Sequence, residues 1–266
     1  MSGAPSAAYR PLIPLGRRTA LLLAMVSAVG VAAFAWPFFV TPGAALDSSS
    51  SHSADGPWFF VVLLPLLAAV VLAEISAGGI DAKTVAMLGM LVAIGAALRA
   101  LGPGAAGIEP SFVVILLGSR VFGRGFGFVL GALTIFAGAL LTGGVGPWMP
   151  FQMFGAAWVG LFAGMLPRAR GRREVVLLSG YGIVAGLGYG ALLNLWFWPF
   201  STDGSAYAYV AGDPLGANLH RYALFWASTS LGWDVPRGLI SAAVILVAGQ
   251  PVLRALRRTA RRGSFG

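Results

Sequence analysis

The sequence predicts an all-α polytopic membrane protein of about eight transmembrane helices. Three observations carry this. Hydrophobic residues make up 58% of the 266 and charged residues only 10%, against roughly a quarter charged in a soluble domain. The mean hydropathy is +0.82. The apolar residues also fall in blocks of about 20, the length that crosses a bilayer as a helix. A water-soluble enzyme and a disordered chain are both excluded, because too few polar residues are present to cover or solvate either.

The blocks run 19–40, 58–76, 83–101, 109–122, 125–142, 147–166, 174–198 and 235–253. The first follows Arg17 and Arg18 and ends at Trp36 and Pro37. Ala33-Phe34-Ala35 resembles a cleavage site. The run nevertheless exceeds the roughly 7–15 apolar residues of a signal-peptide core, so it is read as a retained helix. The second block lies between the polar stretch Asp47 to Pro57 and the turn Ala77 to Asp81. The third is rich in alanine and stops at Gly102 to Gly107. The fourth is short, bounded by Pro110 and Gly123, and fits a full helix, a broken one or a re-entrant piece. Thr142 to Pro147 separates the fifth from the sixth, and Pro167 to Arg173 the sixth from the seventh. A long connection, Pro199 to Asp234, precedes the eighth. Within it Leu219 to Leu231 suits a short interfacial helix, and segment 200–233 suits a lid.

Three regions follow: a two-helix membrane extension over 1–80, a six-helix domain over 81–256, and a basic tail over 257–266. Eight spans with both ends inside place fifteen of the eighteen Arg and Lys on the cytoplasmic side, as the positive-inside bias requires. Only Arg99, Arg221 and Arg237 fall outside. The net charge of +9 is therefore a topology device. The run Arg254 to Arg262 adds a contact for anionic lipid, and nucleic acid is not an expected partner.

Several chemistries lack their residues. There is no cysteine, hence no disulfide or thiolate zinc site. No phosphate-binding G-x-x-x-x-G-K-[ST] loop is present. The two histidines, His52 and His220, lie far apart without a metal-binding pattern. Gly123, Gly127 and Gly131 share one helix face, as do Gly160 with Gly164, and Gly182 with Gly186 and Gly190. Such spacing marks close helix packing in a membrane. No catalytic residue and no cofactor is expected.

Of the eight tryptophans, Trp36, Trp58, Trp148, Trp196, Trp198, Trp226 and Trp233 fall at the outer side in this topology. An ordinary aromatic belt occupies both interfaces. Polar residues collect at the same side: Gln152, Asn194, Asp234 and Arg237. Asp234 and Arg237 are spaced to pair on one helix face. The expectation is an outward-opening pocket with aromatic walls, formed by Trp148, Gln152, Asn194, Trp196, Trp198, Trp226, Asp234 and Arg237, for a bulky ring-bearing ligand. A lipid-modifying enzyme using this pocket would need a base or nucleophile. Asp234 and His220 are the candidates, and neither has a recognisable partner. A membrane assembly factor, binding other helices through the glycine faces, is the third reading.

From Lys83 onward the text of the chain carries a resemblance. An alanine-rich helix (Ala86, Ala93, Ala96, Ala97, Ala100) is followed by Glu109-Pro110 and by Gly123-Arg124-Gly125-Phe126-Gly127-Phe128-Val129-Leu130-Gly131. Then come Gly146-Pro147-Trp148-Met149-Pro150-Phe151-Gln152-Met153 and Gly160-Leu161-Phe162-Ala163-Gly164. These blocks resemble the substrate-binding S component of energy-coupling factor (ECF) vitamin transporters. The resemblance implies a six-helix bundle that takes a vitamin from outside and docks on a membrane T component coupled to two ABC-type ATPases. It implies docking through small residues spaced by four on the first family helix, here Ala93 with Ala97 and Ala96 with Ala100. It implies no ATP hydrolysis in this chain. The aromatic rim and large outer segment look most like the members linked to cobalamin or its precursors. A nickel or cobalt ligand is disfavoured, because those members use an N-terminal Met-His site and this chain begins Met1-Ser2. The two N-terminal spans are additional to the family pattern.

Overall fold

The computed structural model describes residues 16–39, 69, 82–102, 107–200 and 205–263. The expected span 58–76 falls, apart from residue 69, outside these, as do His52, Trp58 and Asp203. Every regular element among the described residues is helical. The α-helices are α1 (Arg17–Ala35), α2 (Ala82–Leu101), α3 (Ser111–Phe122) and α4 (Arg124–Thr142), then α5 (Met149–Met165), α6 (Arg172–Phe197), α7 (Leu215–Thr229) and α8 (Leu231–Gly263). Five of them, α1, α2, α4, α6 and α8, are long and apolar enough to cross a membrane. The polytopic helical architecture expected from composition is the one observed.

The breaks have local causes. At φ 110° Gly123 sits where an L side chain is strained, and this one residue separates α3 from α4. Gly143 ends α4 in the left-handed conformation, with Gly144 N–H reaching back to the Ala139 carbonyl, a common helix stop. Pro150 stands in the first turn of α5, where a missing N–H costs nothing. Pro167 follows the residue that closes α5. Ser230 interrupts α7 and α8.

The short fourth block resolves as a buried half-span. Helix α3 has 12 residues, about 18 Å at 1.5 Å per residue, too short for the hydrocarbon layer. Phe112, Ile115, Leu116 and Leu117 on it are fully buried. Helices α2, α4, α5, α6 and α8 all pack on it, so a short polar-ended element at membrane depth is covered by protein.

Two glycine seams draw the other helices together. A Cβ on Gly131 would collide with the Ala156 carbonyl, and one on Gly160 with the Gly127 carbonyl. These contacts zip α4 to α5. Gly186 meets the backbone of Gly238, and Gly190 meets the Asp234 carboxylate, joining α6 to α8. The packing interpretation of the spaced glycines holds in both seams. Helix α1 sits at the margin, chiefly against α5 and α6. It is held by Trp158 Nε1, which donates to Ser27 Oγ at 3.0 Å, and by Phe34 edge-on to Phe151.

The end of the bundle where α3 stops and α6 starts carries a buried charge cluster. Glu174 accepts from Arg120 Nε at 2.8 Å and from Arg257 Nη2 at 2.6 Å. Arg120 also donates to the carbonyls of Leu166 and Pro167. Helix α8 runs on to Gly263, through the start of the expected basic tail from 257, and Arg257 on it is tied to Glu174.

Candidate functional site

The opposite end of the bundle is built from the C-terminal turn of α2, the loop before α3, and the adjoining ends of α5, α6 and α8. Each contributes a polar side chain. Arg99 on α2 pairs with Glu109 of the loop, and its Nη2 donates to Gln152 Oε1 on α5 at 3.0 Å. The second oxygen of Glu109 accepts from Arg237 Nε at 3.2 Å. Arg237 Nη1 donates to Asp234 Oδ1 at 2.6 Å. The other oxygen of Asp234 accepts from Trp226 Nε1 on α7 at 2.9 Å. Gln152, Arg99, Glu109, Arg237, Asp234 and Trp226 therefore form one continuous chain across five segments.

This chain borders a cavity of about 400 Å³, lined by Arg99, Glu109, Gln152, Tyr189 and Arg237 with Gly102, Thr142 and Leu193. Tyr189 stands beneath it. Its ring packs edge-on to Phe112, and the Arg237 guanidinium lies 5.3 Å from its centroid, a cation–π distance. Its hydroxyl, next to Arg99, is buried without an aligned hydrogen bond. Backbone sterics make the room: Gly190 leaves space for the Asp234 carboxylate, and Gly107, at φ 75°, abuts the Trp233 carbonyl.

The sequence-predicted residues divide. Gln152 and Arg237 line the cavity, and Asp234 and Trp226 form the end of the polar chain behind it. Asn194 lies apart from the lining, donating to Ser230 Oγ at 2.5 Å and so bracing the α7–α8 junction. The remaining tryptophans do not wall the cavity. Trp198 is fully buried in a separate cluster with Tyr209 and Phe225, donating to the Tyr207 carbonyl at 2.8 Å. Trp196 stacks obliquely on Phe151. Trp148 is 40% exposed and closes its own loop through Nε1 to the Gly144 carbonyl. Their indoles pack or close loops at this end of the bundle, and Tyr189 is the one aromatic residue in a lining otherwise dominated by polar and charged groups.

Arg99, Glu109 and Tyr189 were absent from the expected set. A signal for Arg99 did exist: it is one of three arginines that break the positive-inside bias. All three have carboxylate partners, since Arg221 pairs with Asp213 at 2.5 Å alongside the two described above.

Helix α7 starts four residues before the expected interfacial helix and ends two before it. It joins α6 through Tyr222, whose hydroxyl donates to the Ala191 carbonyl. Burial first, and the Asp234 charge second, raise the Tyr222 phenol above its ordinary pKa. It remains a donor throughout the working pH range.

On α2, Ala93, Ala97 and Ala100 are exposed on one face with Gly89 and Met90. Ala96 is not: it is 1% exposed, on the side where neighbouring Gly95 abuts Thr134 of α4. The expected docking pair Ala96 with Ala100 is thereby corrected, because a buried methyl offers no surface. Helix α1 packs on the far side and leaves the exposed strip of α2 uncovered among the described residues.

A second cavity, of about 500 Å³, lies between α1 and α5 with Leu23, Val31, Leu161 and Met165 in its wall. Its indole and hydroxyl, Trp158 and Ser27, satisfy each other, and Arg124 is the one charged residue in an otherwise apolar lining. Among the described residues no group of three or more His, Asp or Glu is placed to hold a metal ion.

The described residues thus form a helical bundle of membrane-spanning character with a polar cavity at one end. The family model for the ECF transporter, substrate-specific component, matches residues 83–249, well over half of the chain. The chain belongs to that family. No curated protein and no solved structure matches it significantly.

Proposed function

We propose that this chain is the substrate-binding subunit of an ATP-driven ECF importer, and that the cavity at the Arg99–Arg237 end holds the nutrient it carries. The observation that supports this most is the six-residue polar chain beside a cavity in a bundle of this family. Gln152, Glu109 and both arginines are costly to bury in a membrane protein without a role.

In this reading the cavity faces outward and both termini are cytoplasmic, in the plasma membrane. Fifteen basic residues then sit on the inner side. The partners are a membrane T component and two ABC-type ATPases that supply the energy. The exposed strip Ala93, Ala97 and Ala100 is the docking face, where small side chains let a second helix come close. Segment 81–256 is the binding domain, and the 1–80 extension flanks it. A lipid-modifying enzyme is less well supported, because both carboxylates at the cavity are tied up by cations and no free base remains.

The ligand is a small vitamin. About 400 Å³ lies near the lower end of the roughly 300–1,000 Å³ of ligand pockets. Cobalamin or a precursor, suggested by the tryptophan-rich rim, would demand a wider space than these walls leave. Native mass spectrometry of the full chain, purified in mild detergent from a vitamin-replete host, tests both points. A bound mass of vitamin size supports the reading, and a corrinoid mass would restore the larger ligand. Failure of uptake to depend on the chain when it is co-expressed with T component and ATPases would overturn the transport role.

A further inference from the structure

The charge arrangement of the cavity carries a statement about its ligand, which rests on the transport reading above. Two guanidiniums and two carboxylates meet there, and each charge is already answered. Glu109 accepts from Arg99 and Arg237, and Asp234 from Arg237 and Trp226. Asp234 is 2% exposed, and the Arg237 and Glu109 side chains are 14% and 11% exposed. The charges of the wall thus sum to zero, and their side chains, Arg99 at 19% included, are mostly buried.

An ion entering such a place loses hydration worth several kcal/mol. It would recover this only from an uncompensated opposite charge. None is on offer, since an anion must displace Glu109 from its arginines and a cation must displace an arginine from Glu109 or Asp234. The unused hydrogen-bonding capacity is mostly of one kind. The Gln152 amide nitrogen, remaining guanidinium N–H groups and the unaligned Tyr189 hydroxyl can all donate. The carboxylates and the Gln152 carbonyl oxygen, the strongest acceptors in the wall, are already engaged by the network.

We infer that the cavity selects a net-neutral organic molecule rich in hydrogen-bond acceptors, such as ring carbonyls and ring nitrogens, and rejects ions of either sign. Selectivity comes from the salt-bridged wall, which leaves donors free but no charge unbalanced. The Glu109 carboxylate is the specificity-determining group, because it alone neutralises Arg99.

The test is equilibrium binding to the full chain in detergent with probes of three charge classes. Riboflavin, pyridoxine and nicotinamide represent the uncharged set, thiamine the cations, and biotin and pantothenate the anions. The tightest binder should be uncharged, with at least about a tenfold advantage over every ion, or about 1.4 kcal/mol. Preference for thiamine, biotin or pantothenate would overturn this inference and leave the transport reading standing. Silence from all six, together with no chain-dependent uptake, would remove both.

The second arm is Glu109→Gln, which leaves one guanidinium unbalanced. The ratio of biotin or pantothenate affinity to riboflavin affinity should rise at least about tenfold. Glu109→Asp keeps the charge and should keep the original order. An unchanged ratio in a Glu109→Gln protein that elutes as a single folded species would refute the role given to charge balance. If that variant does not fold, Arg99→Gln supplies the mirror test, shifting preference toward thiamine.

Discussion

Replacing Gly190 by alanine isolates the contact on which the polar chain depends. A methyl at this position on α6 would overlap both oxygens of the Asp234 carboxylate. Asp234 must then move, and it is held by Arg237 Nη1 at 2.6 Å and Trp226 Nε1 at 2.9 Å. Hydrogen bonds to charged groups contribute about 1.5–3 kcal/mol each. Alanine returns up to about 1 kcal/mol of helix propensity. The net loss is on the order of 2–5 kcal/mol, and the displaced carboxylate also releases Arg237 from its position over Tyr189. Gly188, two residues away on the same helix, is the control, because nothing lies within 4 Å of its Cβ position. Both variants gain the same propensity, so their difference reports the Asp234 contact alone. The assay is thermal unfolding in detergent alongside binding of the native ligand. Gly190→Ala should unfold at a clearly lower temperature and bind at least tenfold more weakly than Gly188→Ala. Equal behaviour of the two would refute the claim that Asp234 is seated by the missing side chain.

Five other substitutions probe separate parts of the molecule. Glu174→Gln leaves Arg120 and Arg257 facing a neutral amide in a buried site. It should cost about 3–5 kcal/mol of stability, read by denaturation, with cavity affinity in the surviving folded fraction unchanged. Ala97→Leu on the exposed strip should reduce uptake at least several-fold while binding and stability stay at wild-type levels. Ala96→Leu should instead lower stability by about 1–3 kcal/mol through overpacking against α4; the reverse assignment of these two effects would refute the docking face. Trp198→Ala should destabilise by about 3–5 kcal/mol. Trp148→Ala should leave affinity unaltered, and a tenfold loss there would place the indole at the ligand after all.

The helices were legible because hydropathy alone decides what enters a membrane. Breaks at Gly123, Gly143 and Pro167 followed from residues that cannot continue a helix. What the linear text could not show was which polar residue meets which. Arg99 and Glu109 are ten positions apart, and Glu109 reaches Arg237 across 128 positions, a closure set by how α8 packs on α3 and α6. Tryptophans misled in the opposite direction. Trp148, Trp196 and Trp198 were expected to wall a pocket, but an indole serves a fold core or a loop closure as readily as a ligand wall. Ala96 shows the same limit on one helix. Spacing by four is shared by the buried and the exposed face, and only the position of α4 separates them.

The cluster of Arg120, Glu174 and Arg257 bears on the path a ligand must take. It clamps α3, α6 and α8 together at the end remote from the cavity, with Glu174 buried beneath two guanidiniums. A passage opening there would have to part these charges in a poorly hydrated place. That is an expense of several kcal/mol with no new partner to offset it. In the proposed transport reading, a ligand held at the Arg99–Arg237 end therefore meets a closed base of paired charges beneath it, and the rim is the less costly way in and out.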